Sequence, residues 1–200
     1  GRVSVKGSPE RSLPLSEIAA AANPLRGTIP ADWEQPGLEA SRFFAPPRGT
    51  IAGGAHAAIV EVDVATGMLK ILKYVVVHDC GMVINPLILE GQIRGGVAQG
   101  IGNVFYEKLI YDENGQLLTQ TFMDYLLPTA MEVPEIEIDH IETPSPLNPL
   151  GVKGAGEAGV IPVPALFAQA LEDALQPDHA IRITQMPLNP NLLLDMIRGT

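Results

Sequence analysis

The sequence has 200 residues, 46% hydrophobic and 18% charged, so it can bury a core and lies far from disordered composition. Thirteen basic residues face 23 acidic ones, a formal charge of -10, which argues against nucleic acid or anionic membrane as a partner, because both need a basic surface. Cys80 is the single cysteine, which excludes an intrachain disulfide, a zinc ribbon and a four-cysteine iron–sulfur site, and makes a reducing, cytoplasmic setting the default.

No apolar run approaches the roughly 18 to 20 residues of a membrane span, and no signal peptide opens the chain. The opening GRVSVKGSPE reads as the middle of a longer protein. Leu15, Ile18, Ala19 and Ala22 mark a short helix that Asn23-Pro24 must end. The Pro- and Gly-rich stretch from Arg26 to Thr50 carries Trp33, Phe43 and Phe44 as isolated anchors. It reads as an extended connection that lies against something larger. Residues 1–50 are therefore set apart as an extended N-terminal segment, and 51–200 hold the organised portion.

From Gly54 the pattern sharpens. His56, Ala58, Val60, Val62 and Val64 recur at period two, Ala65-Thr66-Gly67 supplies a turn, and MLKILKYVVV continues as a second strand. A second hairpin is expected at 106–122 around Asn114-Gly115. EIEIDHIE predicts a strand over 135–142 with Ile136, Ile138 and His140 on one face. Between these strands, a helix is predicted from Pro86 to Tyr106, its apolar stripe formed by Leu89, Ile93, Val97, Ile101 and Phe105. Gly91, Gly95, Gln99 and Gly102 fall roughly on its other side. Five glycines, Gly96 and Gly100 included, cost such a helix several kcal/mol at about 1 kcal/mol each. Backbone must therefore come close to something, either a neighbouring element or a bulky cofactor. A second helix is predicted over 162–175, burying Val163, Phe167, Ala170, Leu171 and Ala174. The tail IRITQMPLNPNLLLDMI holds a strand-like piece and a short terminal helix. The fold class is α+β: β-hairpins and a mixed sheet packed against two main helices.

Residues 154–159 spell Gly-Ala-Gly-Glu-Ala-Gly and match the pattern GxGxxG. A dinucleotide site needs a buried strand running into that loop and a helix directly after it. Here prolines precede the glycines and separate them from the helix. The same segment allows two other readings. Gly151, Gly154, Gly156 and Gly159 permit left-handed turns that leave Glu157 projecting just before a helix start, where a carboxylate can act as a cap. A carboxylate caged by glycines can instead serve as a general base.

Three segments carry a resemblance: VVVHDCGMVINPLILEGQIRGGVAQGIG, YDENGQLLTQTFMDYLLPTA and TPSPLNPLGVKGAGEAGVIPVPALFAQALEDAL. Together they resemble the C-terminal part of the molybdopterin-binding large subunit of the molybdenum hydroxylases. Within that family the flavour is nearest the carbon-monoxide-dehydrogenase-like subunits, alongside xanthine dehydrogenases and aldehyde oxidoreductases. The similarity runs from about residue 50 to 185, and SVKGSPERSLPLSEIAAAAN also looks like an interior stretch of such subunits. The resemblance implies that Glu157 is the glutamate beside the molybdenum, accepting a proton from the metal's hydroxyl or water ligand. It implies that Gln99 contacts the pterin and that Gly95, Gly96 and Gly100 let its helix approach the cofactor. It makes Lys153, Gly154, Ala155 and Gly156 the backbone support around the base.

The implied cofactor is a molybdenum–pterin cofactor in its molybdopterin cytosine dinucleotide form, carried by the parent enzyme and not by this fragment alone. The implied partners are the missing N-terminal part of the same subunit, a [2Fe–2S] subunit, an FAD subunit and further copies in a homo-oligomer. The substrate would be carbon monoxide, an aldehyde or an N-heterocycle. The rival reading is a non-catalytic scaffold or interaction domain that kept the shape after losing the cofactor. His78, Asp79 and Cys80 lie together, but successive strand residues point to opposite faces, so they are read as a buried thiol and strand-end polar groups rather than metal ligands. His140 and His179 are read as surface or satisfied histidines.

Overall fold

Arg2–Val5 (β1) and Ser8–Pro14 (β2) form an antiparallel hairpin that was not expected from the sequence. Val3 lies opposite Leu13, and Gly7 makes the turn at φ 86°, a conformation glycine adopts without strain. The hairpin is short and mostly exposed, so its apolar alternation is weak in the sequence. Helix α1 (Leu15–Ala21) follows directly and stops before Asn23-Pro24, as expected. These elements belong to one unit, Gly1–Ala45, and the rest of the chain forms a second, Pro46–Thr200. The computed structural model describes residues 1–26, 37–176 and 178–199; Trp33 lies outside them, and Phe43 and Phe44 are exposed.

In the second unit, β3 (Gly53–Asp63) and β4 (Met68–Asp79) form the predicted hairpin. Its turn is closed by Asp63, whose carboxylate accepts from the Ala65 N–H (2.9 Å) and the Thr66 hydroxyl (2.8 Å). Strand β5 (Ile136–His140) adds to the other side of β4 in parallel, with Tyr74 opposite Ile136, Val76 opposite Ile138 and His78 opposite His140. A parallel neighbour requires a crossover, and helix α2 (Pro86–Phe105) lies within it. Asn85 caps α2 by accepting from the Ile88 N–H, and Pro86 fills its first turn.

One face of this three-stranded sheet carries the core. Tyr74, Val76 and Ile136 pack with Ile93, Val97, Ile101 and Val104 of α2 and with Val163, Phe167 and Leu171 of α3 (Val163–Leu175). Phe167 is fully buried, its ring 5.0 Å from that of Phe105 and 6.0 Å from that of Tyr74. Helix α4 (Pro190–Arg198) ends the chain, capped by Asn189 and closed by Gly199 at φ 71°.

Three local expectations are corrected. The buried stripe of α3 runs 163, 167, 171, 175 in steps of four, so Leu175 is buried while Ala174 is exposed. The hairpin at 106–122 shrinks to a single bridge between Tyr111 and Leu117, around a turn held by Asp112. Ile110, Tyr111 and Leu118 are exposed there, and a two-stranded ribbon without an apolar surface to pack on is marginal. The strand-like piece of the tail is irregular; the Ile183 N–H goes to the Glu172 carboxylate (2.7 Å) rather than to a neighbouring strand. Among the described residues no helix is long and apolar enough to cross a membrane.

Candidate active site

The segment 151–162 carries one isolated bridge, Val152 to Gly81, and otherwise only turns and irregular chain. It is tied down residue by residue. Lys153 donates its main-chain N–H to the Cys80 carbonyl (2.7 Å), and its ammonium group sits 3.1 Å from the Asp79 carboxylate. Asp79 also accepts from the N–H groups of Gly81 (2.8 Å) and Thr143 (3.2 Å). These bonds, led by Gly81 and then Thr143, with Lys153 adding to them, hold its carboxyl well below the usual range. The Gln92 side chain of α2 donates to the Gly156 carbonyl (2.7 Å). On the far side of the glutamate, the His56 ring bonds the Ala158 carbonyl (3.2 Å).

Glu157 is exposed, and its carbonyl accepts from Val160 and Ile161. The helix predicted over 162–175 begins at Val163, with Pro162 as its cap, six residues beyond Glu157, so Glu157 does not cap it. Of the four glycines, only Gly151 is left-handed, at φ 70°. Gly159 is buried against α2, where a side chain would overlap the Ile93 carbonyl. Gly154 and Gly156 have open space where a side chain would be. The segment is thus a tethered loop presenting a carboxylate, not a helix-opening nucleotide loop.

Glu157 opens into a cleft of about 600 Å³ lined by Gly53, Gly54, His56, His78, Gly154, Ala155 and Gly156, among others. Of the residues singled out in the sequence, this cleft unites Glu157 with Gly154, Ala155 and Gly156. Lys153 points instead to Asp79. Gln99 is exposed on α2 and outside the cleft lining. It lies seven residues beyond Gln92, on nearly the same helix face and roughly 10 Å along the axis. Gly96 and Gly100 face inward, the first against Gly159 and the second against Val163. Their close approach is to the chain itself. Gly91 and Gly95 present bare backbone to open space. Gly102 is buried beneath Glu107 and Pro128, not on the open side.

These features fit a large, hydrogen-bonding cofactor. Gly91, Gly95, Gly154 and Gly156 leave room beside the backbone, and Gln99 adds an amide with both a donor and an acceptor. Among the described residues no group of three or more His, Cys, Asp or Glu is arranged to hold a metal ion directly.

The residues that sequence reasoning missed are the tethers: Gln92, Asp79, Tyr74 and His56. The alternation at 56–64 marked His56 as inward-facing, but nothing local showed that its partner lies 102 residues away. His140 is also corrected, since both of its ring nitrogens are buried without a hydrogen-bond partner among the described residues, as is Nε2 of His78. Burial lowers the His56 pKa first, with His78 adding to it and the Ala158 bond opposing. Burial likewise lowers that of His78, then His140. Both histidines are therefore favoured as neutral in the fold. The unfolded chain binds more protons below its ordinary histidine pKa of about 6.5, so stability falls as pH drops through that value. The urea midpoint of the chain is expected to be lower at pH 5.5 than at pH 7.5, and His78→Gln should flatten the trend. A midpoint that does not move over this interval would contradict the assignment.

Comparison with known proteins identifies the family. A family model described as "Molybdopterin cofactor-binding domain" matches residues 1–134. The chain is 43% identical over 199 residues to the nicotine 6-hydroxylase large subunit of Paenarthrobacter nicotinovorans, covering 100% of this chain and 24% of that protein. It is 39% identical over 173 residues to the carbon monoxide dehydrogenase large chain of Afipia carboxidovorans, covering 86% of this chain and 21% of the relative. The crystal structure of quinoline 2-oxidoreductase from Pseudomonas putida 86 superposes with a TM-score of 0.90 at 44% identity, over 99% of this chain and 25% of that one. The chain spans about a quarter of the length of the curated relatives it matches.

Proposed function

The chain belongs to the molybdopterin cofactor-binding domain family, and from that premise we propose that it is part of the catalytic large subunit of a molybdenum-dependent oxidoreductase, with Glu157 as general base. The observation that carries the reading is the tethered loop 153–158, which presents one carboxylate to a cleft lined by glycine backbone. When bound, the molybdenum cofactor, read as the cytosine dinucleotide form, supplies the centre that takes two electrons from the substrate as a water-derived oxygen is inserted. Glu157 receives the proton released in that step on a carboxylate oxygen and holds it beside the reacting atoms. Gln99 and the bare backbone of Gly95 bind the pterin. Gly96 and Gly100 seat α2 against Gly159 and Val163 and so fix the height of that face. Gly154, Ala155 and Gly156 keep the approach to the base open.

Of the substrate classes, an N-heterocycle is favoured over carbon monoxide and an aldehyde. The support is the greater identity to the nicotine and quinoline enzymes, 43% and 44%, than to the carbon monoxide dehydrogenase large chain, 39%. Electrons would leave through partner subunits carrying [2Fe–2S] clusters and FAD, a reading supported by relatives that are a large subunit and a large chain. The assembly is read as a cytoplasmic homo-oligomer of such heterotrimers. Elemental analysis tests the proposal. The full-length parent, purified from cells that make the cofactor, should carry close to one molybdenum per subunit, and this chain alone should carry none. A fully matured parent without molybdenum would overturn the reading in favour of a non-catalytic scaffold.

A further inference from the structure

The ring of His56 is held at both nitrogens. Nδ1 lies 2.8 Å from the Tyr74 hydroxyl and Nε2 lies 3.2 Å from the Ala158 carbonyl. For a neutral ring these two partners allow a single arrangement of protons. A carbonyl oxygen can only accept, so Nε2 must carry a hydrogen and donate it. Tyr74 is fully buried, and burial pushes its phenol well above the usual range, so its O–H stays intact. That O–H donates to Nδ1. Burial lowers the pKa of the ring and so favours this neutral Nε2–H form, with both nitrogens bonded within the fold. A histidine beside a candidate base would ordinarily be read as a second acid or base. Here both nitrogens are engaged by the fold itself, which makes the ring a strut.

What the strut supports is specific. Ala158 directly follows Glu157, and Gly156 directly precedes it. The carbonyls of both are gripped from outside the loop, one by His56 of β3 and the other by Gln92 of α2. Glu157 therefore stands between two anchored carbonyls that come from opposite neighbours of the loop. Its own carbonyl is used inside the turn, by Val160 and Ile161. Little backbone freedom is left to the residue that must aim a carboxylate.

We propose that Tyr74 and His56 are positioning residues for Glu157: the tyrosine hydroxyl selects the histidine tautomer, and the histidine fixes the Ala158 carbonyl and with it the direction in which Glu157 enters the cleft. The inference rests on the reading of Glu157 as the base. Loss of the strut frees the loop without touching the carboxylate, and displacement of a reacting group by about 1 Å can cost up to about 100-fold in rate.

The test uses the full-length parent enzyme with three variants, His56→Leu, His56→Gln and Tyr74→Phe, read by hydrogen–deuterium exchange and by steady-state kinetics. His56→Leu is expected to speed exchange of amides in 156–161 about tenfold and to lower kcat about tenfold, with KM and molybdenum content unchanged. His56→Gln keeps an amide donor for the Ala158 carbonyl and should recover most of both effects. Tyr74→Phe removes one oxygen from an otherwise unchanged core, and should raise exchange in 156–161 by releasing the tautomer. Unchanged exchange in that segment for both His56→Leu and Tyr74→Phe overturns the proposal, as does a kcat loss that His56→Gln shares in full. If exchange rises as expected while Glu157→Gln leaves turnover intact, the strut stands as a loop anchor and the positioning of a base is overturned with the base itself.

Discussion

Glu157→Gln is expected to lower kcat of the assembled parent enzyme by roughly 10²- to 10⁴-fold, the range a general base contributes. The replacement keeps the length and shape of the side chain and removes its ability to take a proton. Stability should hardly change, within about 0.5 kcal/mol, because the side chain is exposed and the bonds that hold the loop come from main-chain carbonyls. Molybdenum content should also stay constant, since cofactor binding is assigned to Gln99 and to glycine backbone rather than to this carboxylate. Three measurements on one preparation decide the matter: kcat at saturating substrate, metal content and thermal midpoint. A normal kcat with normal metal would remove Glu157 from the mechanism. A fall in all three would instead make it a structural residue.

Much of this arrangement was legible before the fold, and the reason differs from element to element. The β3–β4 hairpin and α2 declared themselves because long periodic segments repeat one signal many times. Chain 106–122 misled because Asn114-Gly115 makes a good turn whether or not its flanks find a partner surface. The β1–β2 hairpin was missed for the opposite reason, since its few apolar residues are mostly exposed and the alternation is faint. At the site, Glu157 stood out through its glycine neighbours and the motif around it. The residues that hold it did not, because their bonds span long separations: 64 residues from Gln92 to Gly156, 74 from Asp79 to Lys153 and 102 from His56 to Ala158. A side chain's type says that it can bond, and only the fold says to what. The glycines of α2 show the same limit. Their number announced a close approach, but which of them meet protein and which meet open space depended on where Gly159 and Val163 come to lie.

That distinction yields the second large effect, in a pair of adjacent glycines with opposite outcomes. Gly96→Ala should destabilise the chain by about 3 kcal/mol or more in urea denaturation, at or beyond the upper end for overpacked cores. The new methyl would lie 2.8 Å from Gly159 Cα and 3.1 Å from the Val160 nitrogen, and main chain cannot turn aside as a side chain can. Gly159→Ala should behave alike, since its methyl would overlap the Ile93 carbonyl from the other side of the same contact. Gly95→Ala meets nothing within 4 Å and replaces glycine by the best helix former, so it should stabilise the chain by up to about 1 kcal/mol. The two kinds of glycine are then told apart by metal. If Gly95 lies against the pterin, the more stable Gly95→Ala parent should hold less molybdenum than the natural one. Full molybdenum loading in a Gly95→Ala parent of raised stability would remove Gly95 from the cofactor face and leave Gln99 to define it.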